Sequence, residues 1–292
     1  MRAPPSPLIG ARAYDRAPMA QLAELSASRE LMVNLTLREL RGKYKRSLLG
    51  WSWSLLNPLA TMLMFTVVFQ VFLHVKIPAG DPSGMTGFAF FLLCGLLPWN
   101  LLANSIGGAM GSLIINGNLI KKVYFPREVL VAANVASWVV SLLVELGVLC
   151  VALLVAGNMV LPWLPALVLL VALLAVFTLG MALLLSVLNV YFRDVQHLMA
   201  IVLQLWFYAT PIVYRLNVVP KTKHWLGYSI PVKFLYRLNP MVRFVEAFRN
   251  VLYDLRLPSL SNVAFLVVAS AAALALGLVV FARLEPRLAE EL

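Results

Sequence analysis

Residues 29–58 read RELMVNLTLRELRGKYKRSLLGWSWSLLNP, and this stretch decides how the chain is arranged, because a basic amphipathic segment runs directly into the first long apolar run. At ~100° per residue, one side of a helix through it carries apolar residues within an arc of roughly 80°. They are Val33, Leu37, Leu40, Tyr44 and Leu48. The cations around the remaining surface are Arg38, Arg41, Lys43, Lys45 and Arg46, and Leu35 and Gly42 fall on this basic side as well.

This pattern predicts a helix that lies in the plane of a membrane surface, with its apolar face in the bilayer and its cations toward anionic headgroups. Trp51 and Trp53 follow it, and indole rings favour the headgroup level. Pro58 fits the first turn of the next helix, where its missing N–H costs no hydrogen bond. The alternative is a basic flank that only sets the orientation of the chain.

The composition is that of a membrane protein. Of the 292 residues, 61% are hydrophobic and 13% are charged, and the mean hydropathy is +0.86. A soluble domain is about 45–50% apolar and about 25% charged, so the sequence predicts an all-α integral membrane protein with several spans. The net charge of +11 is then a signal of topology. No nucleic acid is expected as a partner, because no soluble domain with a basic, aromatic-rich patch is visible.

The regions outside the apolar runs are short. Residues 1–28 lack the continuous apolar core of a cleavable signal peptide and are interpreted as a flexible cytoplasmic tail. Residues 29–54 hold the amphipathic helix and a Trp-containing turn, residues 55–282 form the transmembrane domain, and residues 283–292 form a second cytoplasmic tail. Cys94 and Cys150 both lie in apolar runs, which indicates neither a disulfide framework nor a metal pair.

Six stretches approach the length of about 20 apolar residues that a transmembrane helix needs. They are residues 55–75, 87–113, 129–156, 166–190, a fifth from about 198 to Pro211, and 263–281. An even number of spans puts both ends of the chain on one side. If that side is the cytoplasm, 15 of the 24 Lys and Arg residues face inward, as the positive-inside rule requires.

Residues 215–256 are unusually basic for a segment that this topology places outside. Two explanations are open. Residues 225–250 re-enter the outer leaflet as short helices packed within the protein, or the cations meet an anionic group of a cargo at the outer face.

Groups for catalysis are few. The sequence contains no GxxxxGK[ST] phosphate loop and no HExxH motif, and its Asp residues are far apart. Glu145 is the one acid well inside a span, where an ionisable group is costly and is a functional candidate by default. The alternative is a carboxyl group that is protonated or hydrogen-bonded against a neighbouring helix.

Aromatic side chains concentrate in the first and fifth spans. They are Phe65, Phe69 and Phe72, which form one stripe at helical spacing, and the consecutive Trp206, Phe207 and Tyr208. They either face lipid or a neighbouring helix, or they line a path for sugar rings. Aromatic faces suit a sugar path because they contact the apolar faces of the rings and leave the hydroxyl groups free to slide.

Three blocks of sequence are specific in combination. They are RELRGKYKRSLLGWSWSLLNPL at 38–59, NGNLIKKVYFPREVL at 116–130, and YFRDVQHLMAIVLQLWFYATPIVY at 191–214 followed by LNPMVRFVEAFRNVLY at 238–253. With these blocks the chain resembles the membrane subunit of ABC-2-type polysaccharide exporters, the family that moves O-antigen, teichoic-acid and mycobacterial galactan chains. Together with the six spans, the resemblance covers nearly the whole chain after residue 28.

The resemblance implies a homodimer of this chain with two ATPase subunits, which would hold ATP and Mg²⁺, so that this chain is a transporter subunit without a cofactor of its own. It implies an interface helix at 29–46, outer gate helices at 225–253, and a channel at the dimer interface with walls from the first and fifth spans. It further implies that residues 114–128 couple to the ATPase, with Asn118, Lys121, Lys122, Tyr124, Phe125 and Arg127 as the contact residues. An ordinary cytoplasmic loop is the alternative for that segment.

The resemblance also implies a cargo, a galactan or O-antigen-like chain on polyprenyl pyrophosphate, exported across the bacterial inner membrane. The cations of the interface helix are the expected contacts of the pyrophosphate, since phosphate oxygens favour Arg and Lys donors. Two other functions stay open, an ABC-2-type exporter of a small drug or lipid and a polytopic membrane glycosyl or phospho-sugar transferase. The lack of an acidic pair and of a large polar loop for a nucleotide sugar disfavours the enzyme.

Overall fold

The computed structural model describes most of the chain. The described residues are 28–43, 50, 52–74, 79–123, 125–220, 222–225 and 228–291. The predicted N-terminal tail up to residue 27 lies outside this part of the chain, as do some of the residues singled out above: Tyr44, Lys45, Arg46, Leu48, Trp51 and Tyr124.

The described chain is built from helices. The first are α1 (Arg29–Lys43), α2 (Ser52–Phe65) with its π-helical continuation Thr66–Phe72, α3 (Phe88–Ile115), α4 (Gly117–Lys122), α5 (Glu128–Val155), the 3₁₀ turn Leu161–Trp163, α6 (Leu164–Tyr191) and α7 (Asp194–Tyr208). There follow the 3₁₀ turn Leu216–Val218, a ribbon of β1 (Lys223–Trp225) and β2 (Tyr228–Ile230), α8 (Val232–Leu238), α9 (Pro240–Arg249) with the π turn Asn250–Asp254, α10 (Leu260–Leu284), the 3₁₀ turn Glu285–Arg287 and α11 (Leu288–Glu291).

Five helices in the described residues are long and apolar enough to cross a membrane. They are Leu55–Phe72, Phe88–Ile115, Glu128–Val155, Leu161–Tyr191 and Leu260–Arg287. Each overlaps one predicted span, so the expected all-α integral membrane fold is confirmed. The structure adds one small exception, because β1 and β2 pair as a short antiparallel ribbon in a segment that was assigned to the outer helices.

The predicted fifth span differs from the other five. Helix α7 begins at Asp194 rather than near residue 198, and it ends at Tyr208, before Pro211. Its 15 residues would extend only about 22 Å at 1.5 Å per residue, which is less than the ~30 Å hydrocarbon core. A sixth crossing therefore requires the irregular segment after α7 as well. Proline supplies no backbone N–H to continue the helix, which is the physical reason for the break.

Hydrogen bonds between loops distinguish the two ends of the bundle. At one end, called the α4 end below, the Tyr191 hydroxyl donates to the Leu284 carbonyl at 2.7 Å, and Arg127 donates to the carbonyl of Glu285. At the opposite end, Asn158 Nδ2 donates to the Leu252 carbonyl at 2.8 Å. Each of these bonds joins two loops that follow alternate spans. The bonds therefore show which loops lie at the same end of the bundle.

Helices α8 and α9 form a hairpin that enters the bundle from the opposite end and returns. Its turn lies at Asn239, whose Oδ1 accepts a hydrogen bond from Trp206 Nε1 at 2.9 Å. Trp206 in turn meets Trp99, 11 residues into α3, with 5.9 Å between the ring centroids. The chain then returns to the opposite end, where Ser83 Oγ donates to the Tyr253 carbonyl at 2.6 Å. This hairpin, called the re-entrant hairpin below, matches the re-entrant explanation of the basic segment, whose placement in the outer leaflet stays a prediction.

Helix α1 packs on the bundle by a side that the helical wheel placed among the cations, and the prediction that its apolar stripe enters the bilayer stays a prediction. Leu35, which the helical wheel placed among the cations, is buried, whereas Val33 and Leu37 of the expected apolar stripe are exposed. Leu40 is buried as expected. The reason is that α1 packs along α5, and this neighbour rather than the position of the cations decides which side is covered.

Helix α3 is the centre of the bundle. In the most apolar 18-residue stretch of α3, 72% of the residues are buried, whereas only 6% are buried in the corresponding stretch of the first span. Around α3, the closest approach is between α6 and α10, where Gly180 and Gly277 face one another. A Cβ atom on Gly180 would overlap with the backbone of Ala273, and one on Gly277 would overlap with the Gly180 carbonyl. Small residues at such a crossing allow the two backbones to touch.

This crossing predicts the effect of adding one methyl group. Gly180→Ala and Gly277→Ala should each lower the unfolding temperature of the detergent-purified protein, because overpacking a rigid contact costs roughly 1–3 kcal/mol. Gly147→Ala in α5 is the control, since a Cβ there meets nothing within 4 Å. Equal unfolding temperatures for all three variants would contradict the assigned crossing.

Candidate functional site

Helix α4 is a short basic helix on the surface. Among its predicted coupling residues, Asn118, Lys121 and Lys122 are exposed. Ile120 is buried in the core beneath, which fixes the helix to the bundle. Two ammonium groups and one amide group are thus exposed together at one end of the molecule, where a second protein can contact them.

The other predicted coupling residues have structural contacts. Phe125 is half-buried against the same core, and Arg127 donates to the Glu285 carbonyl, which ties the loop to the end of α10. Helix α11 also contacts α4 and α6. Phe125 and Arg127 therefore hold the loop in place rather than present a free surface, and Tyr124 lies outside the described residues.

One side chain of α1 reaches the start of α4. Arg38 Nη2 donates to Asn116 Oδ1 at 2.9 Å, and Asn116 Nδ2 donates to the Ser112 carbonyl of α3 at 2.8 Å. Arg38 also contacts Glu39 at 3.2 Å. The junction between α3 and α4 is therefore connected directly to α1, and a movement of α4 would pull on α1.

The cations of α1 that the structure describes have different surroundings. Lys43 lies over the Trp138 ring, 3.3 Å from its centroid, and its Nζ is 3.5 Å from Ser141 Oγ. Burial lowers the pKa of Lys43 to about 7, against the opposing charges of Glu39 and Glu145. Arg38 is held by Asn116, Arg41 is exposed, and Lys45 and Arg46 are outside the described residues. Lys43 thus lies against α5, and the contact of the five cations with a pyrophosphate stays a prediction.

Glu145 has a cationic neighbour that the sequence did not indicate. The charge of Lys43 in α1 acts on the Glu145 carboxyl group, although the two residues belong to different helices. Glu145 also lines a small apolar cleft between α2, α3 and α5, together with Pro58, Leu93 and Leu97. The proximity of the two charges comes from the packing of α1 on α5, so no pattern within α5 alone could have revealed it.

Five of the six predicted aromatic residues join one cluster of rings, Tyr208 through its contact with Phe207 at 5.3 Å between the centroids. The ring centroids of Phe65 and Phe69 are 5.8 Å apart, and those of Phe65 and Phe207 are 6.2 Å apart. Trp99 of α3 completes the cluster, with centroid distances of 5.9 Å to Trp206 and 5.7 Å to Phe207. These rings hold α2 and α7 against α3, so the explanation of packing against a neighbouring helix applies to them.

Phe72 and Tyr208 differ from the other four in their exposure. The side chain of Phe72 is 70% exposed and that of Tyr208 is 64% exposed. Phe72 leaves the predicted stripe because Thr66–Phe72 is a π-helix. Its i→i+5 hydrogen bonds widen the turn, so a spacing of seven no longer returns to the same face.

Helices α2 and α7 present apolar faces that nothing covers in the described chain. Exposed side chains on these faces include Leu56, Leu59, Leu63, Met64, Val68, Val71, Leu198, Ile201, Val202 and Leu205. Such a surface must meet lipid or another protein, since an apolar patch of this length is unfavourable in water. These two helices belong to the first and fifth predicted spans.

Arg249 is the main residue that the sequence reasoning missed. It is 6% exposed, and its guanidinium group donates to the carbonyls of Phe91, Pro211, Ile212 and Tyr214. The same group lies over the Phe91 ring, 3.6 Å from the centroid. A signal was present, because Arg249 shares one face of α9 with Val242 and Val245, where a solvated cation is out of place.

A second set of charged residues, centred on Asp254, lies at the same end as Arg249. Asp254 Oδ1 is 3.5 Å from Arg215 Nη2, and Asp254 Oδ2 is 3.4 Å from Arg256 Nη2. The backbone N–H of Asp81 donates to Asp254 at 3.3 Å. The loop after α2, the segment after α7 and the π turn after α9 are thus joined around one carboxylate.

Comparison with known proteins gives consistent matches over most of the chain. The family model described as ABC-2 type transporter matches residues 30–253. An O-antigen export system permease protein of Myxococcus xanthus is 33% identical over 80% of this chain and 85% of its own length. One of Klebsiella pneumoniae is 30% identical over 89% and 94%. A polysialic acid transport protein of Escherichia coli is 25% identical over 74% and 78%.

Arg249 allows a direct test of the site at the opposite end. Arg249→Gln should destabilise the protein by about 3 kcal/mol or more, because several buried carbonyls lose a charged donor. Amide hydrogen exchange should rise within 209–215 and 249–254. Arg237→Gln is the matched control, since that side chain is exposed on the same hairpin. Similar exchange in the two variants would show that the carbonyls do not depend on Arg249.

Proposed function

Because the chain belongs to the ABC-2 type transporter family, we propose that it is the membrane subunit of an ATP-driven exporter that moves a polysaccharide linked to polyprenyl pyrophosphate. The proposed cargo is an O-antigen-like chain or a cell-wall galactan, moved from the cytoplasmic side across the inner membrane. Relatives named for O-antigen export and for polysialic acid transport support a polysaccharide as cargo. The family is one of transport membrane subunits, so the transferase alternative is set aside.

The observation that carries the mechanism is the exposed helix α4. It presents Asn118, Lys121 and Lys122 on the surface, and it is braced from within by Ile120. This is the arrangement expected of a contact with an ATPase subunit, which binds ATP and Mg²⁺ and closes on ATP binding. Lys121 and Lys122 would meet acidic groups of the ATPase, and the α4 end of the bundle is then the cytoplasmic end.

A route from α4 to the rest of the chain follows from its contacts. Arg38 joins the α3–α4 junction to α1 at 2.9 Å, and Arg127 joins the loop after α4 to the end of α10. A displacement of α4 by the ATPase would therefore move α1 and α10 together with α3. In this mechanism α3 is the lever, because it runs from α4 to the opposite end.

The proposed channel lies between two copies of the chain, between the uncovered faces of α2 and α7. Phe72 and Tyr208 are its lining candidates, because both rings are exposed. Phe65, Phe69, Trp206 and Phe207 form the wall behind them, since their rings are held against α3. Exposed rings at intervals offer sugar faces a contact without fixed hydrogen bonds, which suits the passage of a long polymer.

The pyrophosphate would meet α1 at its exposed cations. Arg41 is exposed, and the Arg38 side chain is 47% exposed beside Asn116. Guanidinium groups donate two hydrogen bonds to phosphate oxygens in a fixed geometry. Lys45 and Arg46 follow in the sequence and stay candidates, whereas Lys43 is turned toward Trp138.

Depletion of the chain in its own host tests the function. Full-length lipid-linked polymer should accumulate on the inner side of the membrane, because synthesis continues while export stops. The measurement is extraction and sizing of polyprenyl-linked glycans before and after depletion. An absent or truncated polymer would assign the chain to synthesis, and an unchanged pool would favour a small drug or lipid as cargo.

Charge reversal on α4 tests the coupling separately. Lys121→Glu together with Lys122→Glu should abolish ATP-driven export, because the ATPase contact loses two cations and gains two like charges, while the dimer remains intact. Export is measured by surface glycan, and assembly by co-purification and size. The control is Arg193→Glu with Arg283→Glu, two exposed cations of the same end outside α4. Normal export in the α4 variant would refute the coupling assignment.

A further inference from the structure

A polar cleft lies at the opposite end of the bundle, between the re-entrant hairpin and the start of α10. Its volume is about 390 Å³, within the range of small-ligand sites. The cleft is lined by Arg237, Arg243, Glu246, Asn250, Arg256 and, from the chain leading into α10, Leu257, Ser259, Ser261 and Asn262. Three guanidinium groups against one carboxylate give this lining a formal charge of +2.

The three arginines are positioned with donors to spare. Arg243 Nε donates to the Arg237 carbonyl at 2.7 Å and Nη1 to Asn262 Oδ1 at 3.4 Å, and the group lies 4.1 Å from the centroid of the Phe265 ring. Arg256 Nε donates to Asn250 Oδ1 at 3.0 Å, and Arg256 Nη2 lies 3.4 Å from Asp254 Oδ2. The Arg237 guanidinium makes no hydrogen bond or ion pair with any residue in the described chain. The cleft therefore holds one fixed cation, Arg243, and two exposed cations, Arg237 and Arg256.

An apolar strip leads away from the cleft. Leu257, which lines the cleft itself, is 65% exposed, and Leu260 at the start of α10 is 88% exposed. Further down α10, Ala264, Val267 and Ala271 share the same face and are exposed. Because α10 is apolar enough to span the membrane, its first turn marks the level where the hydrocarbon ends and headgroup phosphates begin.

We propose that this cleft binds the phosphate of an anionic phospholipid, with Arg237, Arg243 and Arg256 as its ligands. The acyl chains then lie along the exposed face of α10, and the hydroxyl groups of Ser259 and Ser261 contact the polar headgroup. Guanidinium groups pair strongly with phosphate oxygens, and the lining charge is opposite to that of the lipid. The site would fix the re-entrant hairpin to the bilayer, and it does not depend on the identity of the exported cargo.

A lipid fits this cleft better than a passing glycan does. No aromatic side chain is among its lining residues, although aromatic stacking is the usual contact of a sugar ring. The exposed aromatic candidates, Phe72 and Tyr208, belong to α2 and α7 instead. The neighbouring exposed surface is the leucine- and valine-bearing face of α10, which suits acyl chains.

The test measures retained lipid on the purified, full-length protein. Phosphatidylglycerol and phosphatidylcholine are offered in equal amounts, and bound molecules are counted by native mass spectrometry. Wild type should retain phosphatidylglycerol preferentially, and R237Q with R256Q should lower that retention by about tenfold, because two charge-assisted contacts are lost. The matched control, R193Q with R283Q, removes the same charge from exposed sites at the α4 end and should leave the retention unchanged.

Two further measurements make the result decisive. The unfolding temperature of R237Q in phosphatidylcholine should equal that of wild type, because the Arg237 guanidinium is exposed and makes no hydrogen bond or ion pair within the described residues. An acidic oligosaccharide, oligogalacturonate, is added to wild type in place of the lipid. Equal phosphatidylglycerol retention in both double variants would overturn the proposal. So would a thermal shift that oligogalacturonate produces and phosphatidylglycerol does not, since the occupant would then be a sugar acid.

Discussion

The irregular segment after α7 depends on one buried guanidinium group. Wherever a chain leaves helical geometry inside an apolar bundle, its carbonyl groups lose their intrahelical donors and must find others. Arg249 supplies them for Pro211, Ile212 and Tyr214, and it also bonds to the Phe91 carbonyl of α3. With these bonds the chain can stop at Pro211, turn, and return as the hairpin of α8 and α9. The path of the hairpin therefore depends on this contact, whereas α7 ends because of Pro211.

The two ends of the bundle are held by different chemistry. At the α4 end, single side chains such as Arg38 and Asn116 connect exposed short elements to long helices, which allows a force on α4 to be passed on. At the opposite end, Arg249 and Asp254 each bind several segments and are almost fully buried. This difference suits a transporter that is driven from one side. The loosely connected end can receive a movement, while the tightly connected end keeps its shape.

The aromatic residues of α2 and α7 have two different environments, one packed against α3 and one exposed. Phe65, Phe69 and Phe207 give up their exposed surface to hold α2 and α7 on α3. The π-helical turn then releases Phe72 from this cluster and leaves it exposed. The faces of α2 and α7 that nothing covers in the described chain remain exposed, and a second copy is proposed to pack there.

The sequence by itself determined the class of fold, because about 20 consecutive apolar residues have few alternatives to a membrane helix. It also determined the family, through blocks that include the basic segment of α4, and it placed the α1 helix and five spans to within a few residues. Only the tertiary structure decided which face of α1 is covered, since Leu35 and Leu40 pack where α5 lies. It alone decided that Lys43 lies against Trp138 and Ser141 of α5 and that Arg249 donates hydrogen bonds to four carbonyls. These partners are distant along the chain, and periodicity reports the faces of one helix without identifying the helix that will cover them.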